Sequence, residues 1–195
     1  MDFDTAKTLA GIGAILASFG MFTHGILTIV GIVLFLIGMI NLAEYLNDNE
    51  LKSNIIHWFI FALIAAIVIA IGAFIFVLNA GLLLSHLLTP APPNIPYPQS
   101  TQSLLPTLLP IITTAAIIIA LAGAFYVISA IYLRKAMNNM YTHTGENLLT
   151  TGGLLYLIGA ILTFIVVGLV IILVAWIIIG IAILTAKPIG KTQNI

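Results

Sequence analysis

The chain has 195 residues, of which 62% are hydrophobic and only 6% charged, where an ordinary globular domain has roughly a quarter charged. No water-facing surface could hide that much apolar side chain, so a soluble fold is excluded. Six Lys/Arg balance six Asp/Glu and there is no cysteine. A nucleic-acid partner, which needs a basic tract, is thereby excluded, as are disulfides, thiolate metal sites and cysteine nucleophiles.

Asp2, Asp4 and Lys7 precede the first apolar run. A secretory signal wants a positive start and a small-residue cleavage site, so the chain is expected to be retained from Met1 onward. Three polar gaps, Glu44 to Ser53, Pro90 to Gln102 and Arg134 to Asn147, leave four apolar blocks: Thr8 to Ala43, Ile55 to Leu88, Leu104 to Leu133 and Leu148 to Ala186. The blocks show no polar stripe of helical period, which reads as helices apolar all round.

The first and last blocks are nearly twice the length of about 20 residues that one crossing requires. Each is either one long oblique helix or a hairpin. In the first, Gly20 and Gly25 bracket Thr23 and His24, which is turn chemistry. In the last, the only break signal is Gly168 after Val166 and Val167. The blocks also share a motif, Ile12-Gly13-Ala14-Ile15-Leu16 recurring as Ile158-Gly159-Ala160-Ile161-Leu162, which favours treating both alike.

Charge decides between the models, because cytoplasmic loops accumulate Lys and Arg. With two hairpins, Lys7, Lys52, Arg134, Lys135, Lys187 and Lys191 fall on one side, whereas four spans split them evenly. The sequence therefore predicts an all-α integral membrane bundle of six transmembrane helices, the alternative being four with long first and last helices. The spans are expected at 5–20, 25–46, 54–79, 106–133, 148–167 and 169–186, in a single transmembrane domain over 1–195. A proline-rich outer loop is expected at 89–105, both termini are expected in the cytoplasm, and the compartment is the cell membrane.

Alanines four apart, Ala62, Ala66 and Ala70, and Ala116, Ala120 and Ala124, give each of two helices a smooth stripe on one face, suited to packing spans three and four together. The glycines, among them Gly11, Gly13, Gly31, Gly38, Gly152, Gly153, Gly159 and Gly180, suit the same close approach. Trp58, Tyr45 and Tyr141 are expected at the headgroup level, and Trp176 in the core.

Ionised side chains at the bilayer midplane mark ion pathways, and no Asp, Glu, Lys or Arg falls in the middle of a span, Lys7 and Glu44 lying near span ends. The uncharged polar candidates are Thr28, Asn79, Thr113, Thr114, Ser129 and Thr163; Asn79 reads as a helix cap before it reads as a cavity lining. The histidines, His24, His57, His86 and His143, are scattered and do not form a ligand set at metal spacing. His24 with His86 makes a weak outer pair, and His143 with Glu146 a weak acid–base pair. Gly190-Lys191-Thr192 lacks the upstream glycine and strand of a phosphate loop, and reads as a solvated tail. The elbows Glu44 to Lys52 and Arg134 to Met140 hold most of the charge outside the tails, so a cytoplasmic partner is expected to touch them, and pairing of Glu44 with Arg134 across facing elbows is an equally good reading. No catalytic, cofactor-binding or metal-ligating residue emerges, and no cofactor is expected.

The run Thr8 to Leu16, the elbow Tyr45 to Asn49, and Leu155 to Leu162 with Ala175-Trp176-Ile177 resemble a largely archaeal family of small multipass membrane proteins described as a domain of unknown function. The resemblance implies an archaeal cell membrane and carries over no catalytic residues. Taken together, the sequence favours a non-enzymatic accessory or scaffold subunit of a membrane assembly. Its partners would be the lipid bilayer and either another membrane protein or further copies of the chain. The runner-up is a small transporter or channel for an uncharged or apolar solute; a membrane enzyme ranks third and would need His143 and Glu146 to meet a second polar cluster.

Single cysteines test the topology. Thr23→Cys should react with an impermeant thiol reagent added outside and Thr192→Cys should not; the reverse pattern would overturn the six-span orientation.

Overall fold

The computed structural model describes residues 1–23, 25–88, 105–164 and 166–189. Among them there is no strand. Six helices follow in order: α1 Phe3–Ser18, α2 Ile26–Leu46, α3 Asn49–Leu88, α4 Leu105–Thr144, α5 Asn147–Ile161 and α6 Val166–Thr185. The fold is all-α, and α2, α3, α4 and α6 are long and apolar enough to cross a membrane. The expected loop falls outside the described residues from Thr89 to Leu104.

Both long apolar blocks are broken into hairpins. After α1 a 3-10 segment, Phe19–Thr23, leads to Gly25, whose φ of 87° is left-handed and suits a residue without a Cβ. The Gly25 N–H donates to the Gly20 carbonyl, and Thr23 Oγ1 accepts from Leu27 N. The second break comes at Leu162–Phe164, ahead of Gly168. Gly168 is instead a buried residue of α6, where an added Cβ would meet the Leu162 carbonyl. It is there for close approach, so a glycine in a run of β-branched residues was a misleading turn signal. The α1 and α5 helices, at 16 and 15 residues, are shorter than the roughly 20 a straight crossing needs.

The chain forms two compact units, Met1–Leu63 with Phe125–Ile195, and Ile64–Ala124. In the first, α1 packs on α2 and α6, and α5 on α6. Glycine makes these contacts. A Cβ on Gly13 would meet the backbone of Gly31 and Phe35, one on Gly31 the backbone of Ala17, and one on Gly38 the backbone of Ala10. Gly11 and Gly180 are reciprocal, the Cβ position of each lying 3.0 Å from the other's carbonyl oxygen. The repeated motif has a repeated role, since Gly159 meets the Gly168 carbonyl and Ile172 as Gly13 meets Gly31.

The interior of this unit is filled with rings. Phe35 stands edge-on to Trp58 at 5.3 Å and to Trp176 at 5.0 Å, and Tyr156 edge-on to Trp176 at 5.5 Å. Such tilted pairs are the favoured aromatic geometry. Trp58 is 1% exposed. It is a core residue, not a headgroup anchor, because the α3 face of Leu51, Ile55 and Trp58 turns inward.

The second unit is made from the later part of α3 and the earlier part of α4. Here Ala65, Gly72 and Ala122 are buried, and Gly72 lies against Ile118. The expected alanine ladders do not form this contact: Ala66, Ala70, Ala116, Ala120 and Ala124 are exposed. Alanine stripes give no sign of which face a neighbour takes; of the two helices' small residues it is Gly72 that lies against the facing Ile118.

Two glycine substitutions separate packing from propensity. Gly31→Ala should lower the melting temperature sharply, because the added methyl meets backbone that cannot rotate away, and overpacking costs about 1–3 kcal/mol. Gly81→Ala, which meets nothing within 4 Å, should be neutral or stabilising by up to about 1 kcal/mol. Equal effects in a thermal unfolding assay would refute the packing account.

Candidate functional site

Charge is gathered at one end of the first unit. The contacts that show it run from element to element. Phe3 of α1 meets Tyr45 of α2 at 5.4 Å, Lys7 Nζ donates to the Ala186 carbonyl after α6, and Thr185 Oγ1 donates to Glu146 Oε2 ahead of α5 at 3.4 Å. His143 near the end of α4 meets Asp48 at the start of α3, and the His143 carbonyl accepts from Ile189 N at 2.9 Å. Six helix ends thus meet there.

The acids follow helix electrostatics. Asp2 caps α1 by accepting from Thr5 N, Asp48 caps α3 by accepting from Leu51 N, and Glu146 caps α5 by accepting from Leu148 N. Asp4 and Glu50 lie in the first turns of α1 and α3. A carboxylate at a helix N-terminus faces unpaired N–H groups and the positive end of the dipole. The hydrogen bond from Thr5 holds the Asp2 carboxyl below its ordinary range. Its small contribution is therefore present above the usual carboxylate range and lost as pH falls through the folded value.

The centre of this end is Asp48. One oxygen caps α3 and the other lies 2.8 Å from His143 Nε2, with Asp48 the more enclosed partner. The pair ties the α2–α3 elbow to the end of α4, 95 residues away in sequence. His143 and Glu146 are not brought together as an acid–base pair; each takes a different partner. The expected Glu44–Arg134 pair is also replaced. Glu44 Oε1 binds Lys52 Nζ at 2.7 Å across the α2–α3 elbow, because the tight turn at Asn47, in the left-handed conformation at φ 55°, folds the next helix back within reach.

The uncharged candidates are largely absorbed by local bonds. Thr113 Oγ1 donates to the Leu109 carbonyl and Thr163 Oγ1 to that of Gly159, while Thr28 packs on Gly20. Ser129, fully buried, donates to the Trp58 carbonyl at 3.0 Å and so joins α4 to α3. Asn79 Nδ2 donates to the Ile75 carbonyl. In the second unit Asn79 and Thr114 also line an apolar groove of about 400 Å³ with Gly72, Phe76, Ile111 and Ile118. His24, the side chain of His86, and Gly190 to Thr192 lie outside what is described.

Two buried donors escaped the sequence reading. Asn54 Nδ2 is enclosed with no hydrogen-bond acceptor among the described residues, and Trp58 Nε1, also enclosed, has only the Tyr156 hydroxyl to approach. Their spacing of four puts them on one face of α3. The signal was there, an Asn one turn before a Trp at the start of the third expected span, but Asn54 was not among the polar candidates.

An all-α chain with four helices able to cross a membrane and its charge gathered at one end has the make-up of a membrane protein. The chain belongs to the family described as a protein of unknown function, DUF996, whose model matches residues 27–177. It is similar to the uncharacterized protein MJ1644 of Methanocaldococcus jannaschii, at 25% identity over 175 residues, covering 88% of this chain and 86% of that one. No solved structure matches it.

Asn54→Leu should raise thermal stability by about 1 kcal/mol, since an unpaired buried amide is replaced by an apolar group of like size. A fall of that size in an unfolding assay would mean that the amide has an acceptor.

Proposed function

We propose that this is a non-enzymatic accessory or scaffold subunit of a cell-membrane assembly, with both termini in the cytoplasm. The observation that carries the reading is the contrast between the two units. The first is closed on a cluster of edge-on rings, whereas the second presents an apolar groove and outward alanine stripes that no part of the described chain uses. In the most apolar windows of α3 and α4 only 11% and 6% of residues are buried, against 33% and 39% for α2 and α6. Each of α3 and α4 has 40 residues, roughly 60 Å at 1.5 Å per residue, about twice the hydrocarbon thickness of a bilayer. Apolar helix in excess of one crossing calls for steep tilt or for protein cover, and small side chains are what membrane helices use to approach one another. The gathering of basic residues at one end supports the cytoplasmic placement of that end.

The second reading, a transporter or channel for an uncharged or apolar solute, draws on Asn79 and Thr114 in the groove. Co-purification separates the two. Tagged at its chromosomal locus and extracted in a mild detergent, the protein should bring down a stoichiometric membrane partner. Ala66→Trp with Ala120→Trp should release that partner while leaving the melting temperature unchanged, because both positions are exposed. Recovery alone would overturn the subunit reading and make Asn79 the first residue to test for transport.

A further inference from the structure

At the charged end of the first unit the described carboxylates are engaged at helix N-termini or paired, but one basic group stands over an aromatic shelf with no carboxylate. Lys135 Nζ lies 5.4 Å from the centre of the Tyr132 ring. The Tyr132 ring is stacked on His57 at 5.0 Å and 19°, and on Phe61 at 5.6 Å and 6°, and Phe61 continues to Phe125 at 6.3 Å. A basic head thus stands at one end of a row of rings that crosses from α4 to α3. Ile60, Ile128 and Ile131, close in sequence to Phe61, Phe125 and Tyr132, are exposed apolar residues.

The chemistry of the shelf is defined by its hydrogen bonds. His57 Nδ1 lies 2.7 Å from the Ser53 carbonyl, an acceptor, so Nδ1 carries the proton and the imidazole is held flat against Tyr132. Lys135 makes no ion pair among the described residues, in contrast to Lys7 and Lys52. Glu50 is the acid on the His57 face, two turns away along α3, or about 10 Å. The Lys135 head stands over the ring on its long aliphatic stem, the arrangement by which lysine can lie along apolar surface and still present its ammonium.

We propose that Lys135, Tyr132 and His57 form a binding site for a phosphate-type oxyanion, that of an anionic phospholipid headgroup. The ammonium meets the phosphate, the Tyr132 and His57 rings bear the glycerol region, and the Phe61–Phe125 row receives the start of a hydrocarbon chain. Headgroup-level aromatics beside a basic residue are suited to both parts of such a ligand.

The test is competitive retention by the full-length protein, read by native mass spectrometry from a detergent solution holding equal phosphatidylglycerol and phosphatidylcholine of identical chains. The wild type should prefer phosphatidylglycerol, and Lys135→Gln should reduce that preference about fivefold, as expected for one basic group at a headgroup. Lys135→Arg should keep it, which separates loss of charge from loss of fold. Lys187→Gln, another exposed basic position, should also keep it. Equal retention of the two lipids by the wild type, or an equal loss in Lys187→Gln, would overturn the site. Inorganic phosphate, titrated at constant ionic strength without anionic lipid, provides the other arm. No Lys135-dependent rise in melting temperature supports the lipid; such a rise would assign the site to a free anion and overturn the lipid reading.

Discussion

The fold depends on backbone meeting backbone at glycine. Helices surrounded by lipid gain little from burying apolar side chains against each other, so van der Waals contact at short range has to hold them. Gly13, Gly31 and Gly38 bring α1 onto α2 until main chain touches main chain, and Gly11 with Gly180 does the same for α1 and α6. Phe35 lies on the α2 stretch that Gly31 and Gly38 position, and its ring wedges between Trp58 and Trp176. A side chain at Gly31 would push Phe35 away from both tryptophans, so the aromatic interior rests on residues that have no side chain at all.

Electrostatics at the polar end follow from the alternation of helix direction. An up-and-down chain puts the N-termini of α1, α3 and α5 beside the C-termini of α2, α4 and α6. Acids occupy the N-termini, where free N–H groups need acceptors. Asp48 does two jobs there, capping α3 and holding His143, and it is the residue through which the elbow between α2 and α3 is fixed to α4. With the acids engaged at helix N-termini or in pairs, Lys135 stands over the Tyr132 ring without a carboxylate partner among the described residues.

α3 and α4 each change character along their length. In the first unit they contribute Leu51, Ile55, Trp58, Leu133, Met137 and Met140, all with 0–1% exposure. In the second they present Ile67, Ile71, Phe74, Val77, Ile112, Ile117 and Ile119 outward. One helix therefore serves as core in one part and as open apolar surface in another. That division is the observation on which the proposed subunit role rests.

Hydropathy and punctuation settled much of the fold in advance, because lipid forces every backbone polar group into helix and confines charge to the ends. Gly20 and Gly25 announced the first hairpin through turn chemistry that is local. The shared Ile-Gly-Ala-Ile-Leu motif announced that the last block would also fold back. What the residues could not announce is which face a neighbour would take. Alanine stripes at 62–70 and 116–124 look the same whether they face a helix or lipid, and Trp58 suits an interface and a core equally well. The pairings of Glu44 with Lys52, His143 with Asp48 and His57 with Tyr132 depend on elbow angles and helix rotation. Those are set by long-range packing at a few glycines, and only the tertiary structure decides them.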